Sequence, residues 1–128
     1  MRSQSDNAKQ VASNFIGSFN DQDHAKLADT LNYPHIRLAM RKFYTTESAE
    51  EFIQHSQKAE IKLIAEGWDH TVIESMDSVH EGDDKVHLAI RNHRINKAGV
   101  IYHSFETLWI ATLINEHWGI QFRSSYLR

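Results

Sequence analysis

The sequence contains no cysteine, which excludes disulfides, thiolate nucleophiles and cysteine-ligated metals or clusters. Proline occurs once and glycine five times, too sparsely for a flexible linker or a phosphate-cradling loop. No cofactor fingerprint is present, so a cofactor-independent protein is expected. No run of about eighteen apolar residues occurs, and the polar opening Met1-Arg2-Ser3-Gln4-Ser5-Asp6-Asn7 has no apolar segment behind it. Neither membrane insertion nor export is therefore expected, and a cytoplasmic location follows by default. Positive charge is not in excess either. Fourteen Lys and Arg against 17 Asp and Glu give a net charge of -3, which weighs against nucleic acid or a membrane surface as partner.

What remains is ordinary globular material. The 41% hydrophobic and 24% charged residues over 128 positions suit one core and one domain spanning residues 1–128. Ala8, Val11, Ala12, Phe15, Ile16 and Phe19 follow helical spacing, with Ser5 or Asp6 as the expected N-cap. Asn20-Asp21-Gln22-Asp23 supplies a turn, and residues 25–31 read as a short second helix ended before Pro34. Residues 35–40 and 42–45 suit two short strands. A third helix follows, capped by Thr46 or Ser48, carrying Phe52, Ile53 and Ala59 and ended by Gly67. From Trp68 the pattern changes to β, with runs at 68–80, 85–95, 100–114 and 117–126 separated by turn residues. These predict a meander of long antiparallel strands.

On the run 100–114 neither parity is polar. Ile101, Phe105 and Trp109 share one side, and Tyr102, Leu108 and Ile110 the other. A sheet wet on one face alternates cleanly, so both faces are expected to be covered, one by the helices and the other by a second copy of the chain.

Helix, short helix, Asn32-Tyr33-Pro34-His35, third helix and four long strands ending in Trp118-Gly119-Ile120-Gln121-Phe122-Arg123-Ser124-Ser125 resemble the nuclear-transport-factor-2-like superfamily, including its SnoaL-like members. Phe19-Asn20-Asp21-Gln22-Asp23 and Leu27-Ala28-Asp29-Thr30-Leu31 carry the same likeness, which spans nearly the whole chain. The resemblance implies an α+β, cystatin-like cone: N-terminal helices packed in a strongly curved, mostly antiparallel sheet, with an internal pocket and often a homodimer through the outer sheet face. Members include ketosteroid isomerases, dehydratases, epoxide hydrolases and non-catalytic domains, so fold does not fix function.

Ketosteroid isomerase chemistry needs a carboxylate base and two oxyanion donors. By the resemblance, Phe15 and Ile110 stand where the tyrosine and aspartate donors belong, and His35 and Arg37 replace the carboxylate, so that reaction is not expected. An epoxide-hydrolase-like set would draw on Arg37, Arg91, Arg123, Asp69 and Glu106. A dehydratase-like one would draw on His35, Tyr33, Tyr102, His87 and Asp69.

His35 and Arg37 share one side of their strand, which makes His35 a candidate general base and Arg37 an anion anchor. The resemblance turns Arg123 and Ser125 toward the cavity, leaving Arg123 to pair with Glu106 or with a ligand carboxylate. Phe15, Phe19, Tyr33, Phe52, Trp68 and Ile110 complete the expected pocket wall, which suits a small apolar or anionic organic ligand. The nine histidines form no His-Glu-x-x-His or similar pair, so no metal is expected. Two readings stay open: a small lyase, isomerase or hydrolase, and a non-catalytic homodimeric domain that binds a ligand or a protein.

Overall fold

The structure, a computed structural model, describes residues 3–127. Its elements in chain order are α1 (Gln4–Asn20), α2 (His24–Asp29), β1 (Leu31–Ala39), β2 (Lys42–Thr46), α3 (Ala49–Ala65), β3 (Trp68–Glu81), β4 (Lys85–Asn96), β5 (Ile101–Ile114) and β6 (His117–Ser125). Helices start at side chains able to bond free backbone N–H groups. The cap of α1 is Ser3, not Ser5 or Asp6: Ser3 accepts from the Asp6 N–H, and Asp6, three residues in, accepts from the Ser3 N–H. Asp23 caps α2 through the Lys26 N–H, and Ser48 caps α3 through the Glu51 N–H.

The second helix is shorter than the sequence predicts, and β1 begins four residues before His35. Two bonds explain the difference. The Thr30 hydroxyl donates to the Leu27 carbonyl and closes α2, and the Thr30 carbonyl accepts from the Ile120 N–H. The chain thus enters the sheet as soon as the helix ends.

The six strands are ordered β2-β1-β6-β5-β4-β3. All neighbours are antiparallel except β1 and β6, which run parallel. Register shifts that leave extra residues on β1, β3, β5 and β6 bend the strands, as bulges do, into a curved, unclosed sheet. On the concave side α1 buries Ala12, Phe15 and Ile16 against Leu88, Trp109 and Ile120. Phe15 meets Trp109 edge-on at 4.7 Å, the favoured aromatic geometry. The convex side carries Ile36, Leu38, Leu108, Ile110 and Phe122 on adjacent strands, beside a Phe43 side chain that is 69% exposed. Among the described residues no helix is long and apolar enough to cross a membrane.

Candidate functional site

Parallel pairing sets Arg37 of β1 beside Arg123 of β6, and Arg123 in turn faces Trp109 of β5. All three lie on the concave side, with His35 two residues before Arg37. The imidazole is 2% exposed and fully engaged. Its Nδ1 lies 2.9 Å from the Ile120 carbonyl oxygen, and its Nε2 is 3.1 Å from Arg123 Nε. A carbonyl can only accept and a guanidinium can only donate, so His35 is the neutral tautomer with its proton on Nδ1. Burial first, then the neighbouring Arg123 and Arg37, lower its pKa to about 3. With Nε2 occupied and proton affinity this low, the expectation that His35 acts as a general base does not fit; it positions Arg123 instead.

Arg123 lies deep in the fold, and its pKa is driven well below the usual arginine value by burial and then by Arg37. Its Cζ is 4.9 Å from the Phe15 ring centroid, a cation–π contact. The residue nevertheless keeps some accessible surface. Arg37 is likewise lowered, by burial and then by Arg94 of β4. Its guanidinium has no hydrogen-bond or ion-pair partner among the described residues, and its Nε is wholly buried. Arg94 packs over the Phe105 ring at 5.5 Å and reaches Glu66 at 3.2 Å. The Tyr102 hydroxyl donates to the same Glu66 oxygen at 2.7 Å, and burial followed by this carboxylate raises its pKa. Glu66 thus serves Arg94, while the charges of Arg37 and Arg123 stay unbalanced.

The partner expected for Arg123 is elsewhere. Glu106 lies on the convex side, 3.3 Å from Arg91, because it alternates with the inward-facing Phe105 and Thr107. The Arg123–Glu106 ion pair therefore does not form. Ile110, expected in the pocket wall, faces outward too, opposite Phe122 and His87. An epoxide-hydrolase-like set does not assemble either, since Asp69 is exposed and bonded to His70. His87, drawn on for a dehydratase-like set, also sits outside.

The other expected residues divide. Phe52 meets the His35 ring at 6.2 Å, so Phe15 and Phe52 border the arginine group. Phe19 stacks on Phe15 and meets Trp68, whose indole N–H donates to Thr71; these rings belong to the core. The Tyr33 hydroxyl donates to the Ala28 carbonyl, and burial, then Asp29, raises its pKa to about 12. Tyr33 therefore ties β1 to α2. Ser125 shares a hydrogen bond with Thr107 on the concave side, toward the rim. There Leu127 packs on Ala39 and Phe105, and its carbonyl accepts from the Met40 N–H.

Arg94 and Asn92 are absent from the sequence-based set, although β4 offered a signal. Val86, Leu88 and Ile90 face inward, and the same alternation carries Asn92 and Arg94 onto that side. Polar residues continuing an apolar parity mark a polar interior. A second missed group, His24 with Ser56 at 2.7 Å and Glu60 at 2.8 Å, clamps α2 to α3.

The low pKa of His35 makes stability depend on pH with a definite sign. Above about 6.5 the ring is neutral in both folded and unfolded chains and contributes no difference. Below that the unfolded chain binds a proton that the folded chain refuses until about pH 3, so stability falls through this window. The expected loss from pH 7 to pH 5 is about 2 kcal/mol. Urea midpoints of the unmodified chain and His35→Gln at both pH values check this; an identical pH dependence in the two would remove His35 as its source.

Comparison with known proteins places the fold. An NTF2-like protein from Cytophaga hutchinsonii superposes with a TM-score of 0.74 at 13% identity, covering 99% of this chain and 100% of that one. A protein of unknown function with a cystatin-like fold from Nostoc punctiforme gives 0.73 at 12% identity, covering 94% and 87%. A ketosteroid isomerase-like protein from Erwinia carotovora atroseptica gives 0.65 at 13%, covering 93% and 92%. The chain has the nuclear-transport-factor-2-like, cystatin-like fold. No family model matches the sequence, and no curated protein matches it.

Proposed function

We propose that this chain binds a small organic carboxylate inside its cone, held between Arg37 and Arg123. The observation that carries the reading is a pair of neighbouring, deeply placed guanidinium groups with no carboxylate against either among the described residues. Arginine does not lose its proton in proteins, so like charges crowded away from water stay costly until an anion arrives. The planar fork of a guanidinium matches a carboxylate, and two of them suit its two oxygens. His35 supports binding over proton transfer, because its free nitrogen is committed to holding Arg123 in place.

Matched pairs test the reading: benzoate against benzamide, and butyrate against butyramide, titrated calorimetrically at low salt. The acids are expected to bind and the amides not, with Arg123→Met losing at least tenfold in affinity. If the acids fail to bind the unmodified chain, the reading falls.

A further inference from the structure

Arg37 and Arg123 would hold one end of a ligand; a second buried polar group lies farther along the same concave surface. Asn92 is 2% exposed, and its side-chain Oδ1 is buried with no hydrogen-bond partner among the described residues. An amide removed from water without a partner costs about 1–3 kcal/mol, so such a group is rare in a settled core. Its neighbours are those of the arginine group. Asn92 stands across from Phe105 on β5. That ring carries the Arg94 guanidinium on its face, and Arg94 in turn acts electrostatically on Arg37. Rings pack against each of these groups: Phe15 on Arg123, Phe52 on His35 and Phe105 on Arg94.

Resting on the carboxylate reading, we propose that the ligand is a hydroxycarboxylate with an apolar, ring-sized body. Its carboxylate lies between Arg37 and Arg123, and its hydroxyl on the far side bonds the Asn92 amide. A hydroxyl suits this position because it can both donate and accept, matching the amide whichever way its oxygen and nitrogen are turned. A second carboxylate fits less well, since Glu66 already balances Arg94. Asn92 is then the residue that selects among carboxylates, because a site with a buried amide penalises any ligand that leaves it unpaired.

Calorimetric titration of benzoate, 3-hydroxybenzoate and 4-hydroxybenzoate into the unmodified chain separates this proposal from the one beneath it. At least one hydroxybenzoate is expected to bind about tenfold or more tightly than benzoate, a gap that one buried hydrogen bond supplies. Asn92→Leu, with Asn92→Ala as its smaller companion, is expected to bring the compounds within about twofold of one another. Equal binding of all three compounds to the unmodified chain would overturn the hydroxyl assignment and leave the carboxylate site standing. A preference that survives both substitutions would overturn the role of Asn92. Binding of none of the three would remove both proposals together.

Discussion

Arg37→Met is expected to raise the thermal midpoint by about 4–15 °C while removing carboxylate binding. The two effects share one cause. In the unliganded chain Arg37 is a deeply placed charge beside Arg123, without a hydrogen-bond partner among the described residues. Replacing a buried charge by an apolar side chain of similar volume is often stabilising by about 1–4 kcal/mol, which sets the shift in midpoint for a chain of this size. Methionine keeps most of the volume and ends the repulsion. Arg123 is the less suitable choice, because its loss also strips the His35 Nε2 of its donor. Differential scanning calorimetry with and without benzoate measures both effects. A midpoint lowered by several degrees would show that Arg37 is held by interactions other than those described, and the reading of it as an unbalanced charge would fail.

The second large effect concerns the seam between β1 and β6. A Cβ built on Gly119 would lie 2.7 Å from Leu31 C, Asn32 N and Asn32 Cγ. Two of these are backbone atoms of β1, which no change of rotamer can move. Gly119→Ala therefore pushes β1 away from β6 where the Ile120 N–H meets the Thr30 carbonyl. The expected cost is about 2–4 kcal/mol, and the shift would also disturb the His35 contact with the Ile120 carbonyl. Gly17→Ala is the contrasting substitution, since nothing lies within 4 Å of its added Cβ on α1. There a gain of about 0.5–1 kcal/mol is expected from helix propensity. Guanidinium unfolding of both variants checks the pair, and equal midpoints would remove close approach as the reason for Gly119.

These sites were unequally legible in the sequence. Helix spacing and strand alternation are local, so α1, α3 and the four long strands could be read directly. So could the shared side of His35 and Arg37. What alternation cannot give is how one strand's sides match its neighbour's. A register shift between Ile110 and Ala111 makes β6 change sides around Gln121, bringing Ile120 and Arg123 onto the same face. Glu106 was available in sequence as a partner for Arg123, but its side of β5 faces outward. The parallel joining of β1 to β6 was likewise hidden, since nothing local marks a bond between residues 88 apart. Asn92 stays hidden in the sequence because a polar residue that continues the parity of Val86, Leu88 and Ile90 reads equally well as the solvated end of a strand.

That joining has a consequence for the order in which the molecule can come into being. β6 lies between β1 and β5, so a growing chain that has made five strands holds two separate pieces. One is the β1–β2 hairpin and the other the β3–β4–β5 meander, with no strand pairing between them. The sixth strand closes that gap as a keystone closes an arch, and it brings Arg123 with it. Sheet completion and assembly of the proposed site are therefore one event during synthesis, late by necessity, and a nascent chain halted before β6 has neither a continuous sheet nor the second guanidinium of that site.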